Sequence, residues 1–112
     1  MTGAEPCGIP WVVSMGFVRL MSNPRVVRHP ERPEHFVDIV RRWHALPSVR
    51  SLGPGMRHWD IVGRLFRQTG GTSRLCTDVH LAALAIEHGA TLFSNDVDFA
   101  RFEGLDWKNP LD

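Results

Sequence analysis

The chain has 112 residues, a formal net charge of +1, 43% hydrophobic residues and no Tyr. That suffices for one small domain, residues 1–112, with one core and an ordinary globular composition. No apolar run approaches the roughly 20 residues of a membrane span, and "MTGAEPCGIP" lacks the basic-then-apolar order of a signal sequence, so a cytoplasmic protein is expected.

The first predicted element lies in "GIPWVVSMGFVRLMSN". Its spacing predicts a helix from about Pro10 to Ser22, with Pro10 near the first turn and Asn23-Pro24 ending it. Its apolar residues run almost all the way round, which predicts a largely buried helix. "RPEHFVDIVRRWHALP" predicts a second helix, started by Pro33 and stopped by Pro47, with Phe36, Val40 and Trp43 on one stripe filled by Ile39 and Leu46. "VRSL" follows as a short strand ended by Gly53-Pro54-Gly55. "RHWDIVGRLFRQTGG" predicts a third helix with Trp59, Val62, Leu65 and Phe66 facing the core and Gly70-Gly71 as its stop.

"TDVHLAALAIEHG" predicts a fourth helix, capped by Thr77 and closed by Gly89, with Leu81, Leu84, Ala85 and His88 at helical spacing. "ATLFSN" is short and apolar, the pattern of a buried strand. One helical turn and a last short strand near Leu105–Trp107 follow. Helices alternating with strands predict an α/β fold with a mainly parallel sheet.

The net charge conceals an asymmetry. Residues 1–75 carry eleven Arg against five acids, and residues 76–112 carry Arg101 and Lys108 against seven acids. Arg is the side chain suited to forked phosphate contacts, so a basic half beside an acidic half fits a metal-dependent enzyme on nucleic acid. It fits equally a protein that packs on a charged partner.

The chemistry-bearing residues lie in the acidic third. A fourth helix opening on Asp78 precedes a strand that runs out into Asp96 and Asp98. Sites of parallel sheets form outside the carboxyl ends of strands. If the helix runs antiparallel to the strand, Asp78 begins at that same edge and three carboxylates converge. Such a set suits Mg²⁺ or Mn²⁺, hard cations that take oxygen ligands, activate water and offset charge on a phosphate. The plain readings are a helix-dipole acid for Asp78 and an ordinary strand-to-turn junction for "SNDVD". The six His lack a zinc spacing and are expected on helix surfaces or partly packed. Cys7 and Cys76 are expected as free thiols.

"CTDVHLAALAIEHGATLFSNDVDFARFEGLDWKNPL" resembles the C-terminal end of PIN-domain ribonucleases, specifically the toxins of VapBC toxin–antitoxin systems and above all their mycobacterial group. "GIPWVVSMGFVRLMSNPRV" and "VRSLGPGMRHWDIVGRL" are similar to the same group, so the resemblance covers nearly the whole chain. It implies a small three-layer fold with helices flanking the sheet. It also implies an Mg²⁺- or Mn²⁺-dependent endoribonuclease, a cognate VapB-type antitoxin and a homodimer. By position, Asp78 matches the metal-ligand acid of the late helix and Asp96 the acid after the following strand. Asp98 is its close neighbour, and Ser94 stands where the family often has Ser or Thr near the metal or its waters.

Two departures stand out. Members of the family begin with a strand that carries a further metal-ligand Asp, and Met1 falls after that region. Many also carry a Glu where this chain has Gly16. The expectation is therefore an N-terminally truncated PIN domain. It is either an active metal-dependent toxin or a catalytically inactive form, a gene remnant or an antitoxin-binding decoy.

Overall fold

The computed structural model describes residues 6–111; the first five residues of the stretch read for a signal sequence lie outside the described residues. Two compact units divide the chain, Met1–Leu52 and Gly53–Asp112.

The first unit comprises β1 (Cys7–Gly8), α1 (Trp11–Met21), α2 (Pro33–His44) and β2 (Val49–Arg50). Pro10 precedes α1 in an extended conformation, and Pro33 opens α2, positions where a missing N–H costs nothing. Ser22 closes α1 by donating its hydroxyl to the carbonyl of Val18 at 2.7 Å. Phe17 joins the two helices, meeting Phe36 edge-on at 5.7 Å and Trp43 at 4.7 Å between ring centroids. Strands β1 and β2 pair in parallel, Cys7 opposite Val49 and Gly8 opposite Arg50. The sequence did not announce β1, because two residues, one of them Gly, are too short to show alternation. The ladder on β2 closes at Arg50 rather than Leu52.

Helix α1 is not largely buried, contrary to its apolar pattern. Only Ser14 and Val18 are buried, while Trp11 (74% exposed), Val13 and Met15 (65% exposed) face outward. A helix apolar all round needs cover on every side, and within this unit α2 packs on the side that carries Phe17.

The second unit holds α3 (His58–Thr69), a 3-10 turn (Ser73–Leu75), α4 (Cys76–Glu87), β3 (Thr91–Phe93), a second 3-10 turn (Val97–Arg101) and β4 (Asp106–Lys108). Its core is Ile61, Leu65, Leu75, Val79, Ala82, Ala83, Phe99 and Phe102. Ala82 and Ala83 of α4 lie in this core with Ile61 and Leu65 of α3. Gly70 takes the left-handed cap conformation (φ 62°) that ends α3, and Gly71 N–H closes the cap on the Phe66 carbonyl. Strand β3 runs parallel to β4, with Leu92 opposite Trp107. The mainly parallel sheet of the sequence reading is present as two parallel ladders, one in each unit, and the class is α/β.

The structure departs from the sequence pattern at three places. Trp59 is 80% exposed; the inward line of α3 is His58, Ile61, Val62, Leu65 and Phe66, and Trp59 stands one residue off it. Thr77 does not cap α4. Helical conformation already begins in the preceding 3-10 turn, and Cys76 is helical, so Thr77 sits inside the first turn and no side chain caps the helix. Strand β3 is half-buried rather than buried: with one partner strand, Phe93 is left 62% exposed.

Candidate metal centre

Helix α4 opens on the turn that bears Asp78, runs its length, and hands over to β3 through Gly89, whose φ of 63° makes the reversal without a Cβ clash. Strand β3 returns along the helix and releases the chain at Ser94. The exit of β3 and the start of α4 therefore share an edge. Asp78, Asp96 and Asp98 each bring a carboxylate oxygen there, and these oxygens all lie within 4.8 Å of one another. The convergence drawn from the sequence is present.

The turn that carries two of the acids is built by its own hydrogen bonds. Ser94 Oγ accepts from the Asp96 N–H at 3.1 Å, and Asp96 Oδ1 accepts from the Asp98 N–H at 2.9 Å. Asp96 thereby caps the 3-10 turn in the extended conformation expected of a cap. Trp107 Nε1 donates to the Ser94 carbonyl at 2.9 Å, pinning the entrance of the turn to β4. The plain reading of "SNDVD" as a turn and its reading as a carboxylate cluster are thus both true of the same five residues.

Electrostatics at the cluster are unfavourable by themselves. Burial raises the Asp78 pKa above its ordinary 3.8, the charges of Asp96 and Asp98 raise it further, and Arg101 and Arg74 oppose them. Arg101 donates to Asp98 Oδ1 at 3.0 Å, the one side-chain ion pair that the three acids make among the described residues. Three hard oxygen donors, two of them half-buried and under mutual repulsion, make a donor set that fits a divalent cation such as Mg²⁺ or Mn²⁺.

No His joins this cluster. His58, expected on a helix surface or partly packed, is buried, 4% exposed. Its Nε2 lies 3.0 Å from His80 Nδ1, and its Nδ1 is 3.8 Å from Glu87 Oε1. Glu87 accepts the N–H groups of Gly55 and Arg57 at 2.8 and 3.0 Å, tying the end of α4 to the start of α3. His88 is exposed and reaches the Gly53 carbonyl at 2.8 Å. Nothing in the sequence signalled these pairings, because the partners stand 22 to 35 residues apart. Cys7 and Cys76 are both free thiols.

The model of the PIN domain matches residues 9–105 of the chain. Ribonuclease VapC37 of Mycobacterium tuberculosis is 40% identical over 110 residues, covering 98% of this chain and 76% of that protein.

This chain belongs to the PIN-domain family, in its VapC group.

Another VapC relative, Ribonuclease VapC33 of the same organism, is 39% identical over 111 residues, 99% of this chain and 78% of its own length. The crystal structure of VapBC2 from Rickettsia felis, bound to a DNA fragment from their promoter, superimposes with a TM-score of 0.63 over 95% of this chain and 76% of that one. At 21% identity, that likeness is one of fold. In this PIN-domain protein the three acids all fall inside the matched span. No helix among the described residues is long and apolar enough to cross a membrane.

Proposed function

We propose that this chain is a metal-dependent endoribonuclease, the toxin of a VapBC-type toxin–antitoxin system acting in the cytoplasm. The observation that carries the reading is the convergence of Asp78, Asp96 and Asp98; the ribonuclease names of its relatives support it. Asp78 and Asp96 hold the cation, and Asp98 assists directly or through water. Ser94 keeps the turn in shape through the Asp96 amide. A bound Mg²⁺ or Mn²⁺ supplies an activated water and Lewis-acid stabilisation of the phosphodiester under attack. The Arg side chains supply phosphate contacts, so RNA binding falls as salt rises. The partners are RNA, a cognate VapB-type antitoxin and a second copy of the chain.

The test is RNA cleavage by purified protein in Mn²⁺ and in EDTA, alongside Asp78→Asn and Asp96→Asn. Cleavage should require the metal and fall at least about a hundredfold in either variant, the scale on which a lost group of a catalytic unit registers. Protein that takes up no Mn²⁺ and cuts no RNA in either condition, yet still binds a VapB-type antitoxin, would establish the inactive, antitoxin-binding alternative instead.

A further inference from the structure

Asp78 rides on α4, whereas Asp96 and Asp98 ride on the turn after β3. Their separation depends on what holds that turn against the helix layer. Helix α3 is the common scaffold: its inward face packs with α4 in the core, and its last turns reach the segment just beyond the acids. Gln68 Nε2 donates to the Arg101 carbonyl at 2.8 Å, and Gln68 Oε1 accepts the Glu103 N–H at 3.1 Å. The side-chain amide therefore meets the backbone at residues i and i+2, donor to acceptor and acceptor to donor, as a neighbouring strand would. Arg64, one turn earlier, adds a single bond from Nη1 to the Glu103 carbonyl at 3.2 Å.

The backbone held by Gln68 is that of Arg101, and the Arg101 side chain turns back to Asp98 Oδ1. One Asp98 oxygen is thus engaged within the turn, as Asp96 Oδ1 is by the Asp98 amide. We propose that Gln68 is a positioning residue for the acid cluster: its amide fixes the backbone of Arg101, and Arg101 orients Asp98 toward Asp78 and Asp96. The inference rests on reading the three acids as the holders of a divalent cation. Groups that orient metal-holding carboxylates are worth about 10–100-fold in metal affinity.

The experiment measures Mn²⁺ affinity by electron paramagnetic resonance, and melting temperature in EDTA, for the wild type, Gln68→Met, Arg101→Met, Arg101→Lys, Arg64→Met and the Gln68→Met/Arg101→Met double variant. Gln68→Met keeps the length of the side chain and removes both hydrogen bonds. It should weaken Mn²⁺ binding by about tenfold while still melting cooperatively. Arg101→Met should do the same, and Arg101→Lys, which retains a cationic donor, should recover most of the loss. Arg64→Met removes a bond to the same segment without touching Arg101 and should leave affinity within about twofold of the wild type, as a contact outside the chain of orientation would. The double variant should bind little worse than either single, because both act along one path.

Wild-type affinity in Gln68→Met, or losses that multiply in the double variant, would overturn the positioning role while leaving the metal reading intact. A tenfold loss in Arg64→Met would overturn it too, by showing that general loosening of the segment suffices. A wild-type protein that takes up no Mn²⁺ overturns the metal reading itself, and this inference with it.

Discussion

The amide of Asp98 donates to Oδ1 of Asp96 at 2.9 Å, so one of two neighbouring acids caps the turn that aims the other. Cap and metal donor are separable roles. Asp96→Asn retains an oxygen to accept the Asp98 N–H, and in EDTA it should melt at the wild-type temperature or above it. Asp96→Ala loses the cap as well and should be less stable by about 1 kcal/mol. Neither variant should gain the stabilisation that Mn²⁺ confers on the wild type, which follows RT ln(1 + [Mn²⁺]/Kd). Thermal melts with and without the metal read both effects.

Asp78 gives a pH dependence of definite sign. Its pKa is raised in the folded protein, first by burial and then by Asp96 and Asp98. The folded state binds the proton more tightly than the unfolded state, so stability declines as pH rises from 3.8 through the folded value, and the deficit persists above it. In EDTA at pH 7, Asp78→Asn should raise the urea midpoint. The gain should shrink as pH approaches 3.8 and reverse into a loss of metal response when Mn²⁺ is added.

Glu87 has the opposite sign. The Gly55 N–H lowers its pKa below the ordinary 4.5 despite burial, with the Arg57 N–H and the nearby His58 and His88 adding to the effect. Its contribution is complete above 4.5 and is lost as pH falls through the folded value. Glu87→Gln should therefore be less stable than the wild type at pH 7, and the two urea curves should draw together in acid. Parallel curves at every pH would show that the carboxylate charge is immaterial to the tie between α4 and α3.

Leu65 and Trp59 separate inward from outward on α3. Leu65 is fully buried and Trp59 is 80% exposed. Leu65→Ala should cost about 2–5 kcal/mol, whereas Trp59→Ala should change stability by about 0.5 kcal/mol or less. Denaturant unfolding at neutral pH distinguishes them, although the sequence pattern placed both on the same face.

Much of the fold and most of the acid cluster were legible because they depend on local order. Pro10, Pro33 and Gly70 punctuate the helices through φ and the missing N–H, effects contained in one or two residues. The order Asp78, helix, Gly89, β3, Asp96 predicts a helix followed by a strand, and if the strand returns along the helix its exit faces the end where the helix began. The structure meets that condition, and the three carboxylates share one edge.

Other features were decided in three dimensions. Apolar residues on α1 signal a helix that prefers cover, but how much cover exists depends on which elements pack there, and Trp11 and Met15 remain exposed. Trp59 and Leu65 differ by six positions, roughly 120° around the helix, and which of the two is buried depends on where the neighbouring elements pack. The contact of His58 with His80, and that of Gln68 with the backbone of Arg101 and Glu103, join residues 22 to 35 positions apart. Hydrogen bonding is short in range and strict in direction, so such pairs exist only once packing has brought their backbones to within a few ångströms. The residue order of this protein thus determined which acids meet, and tertiary packing decided which side chains hold them there.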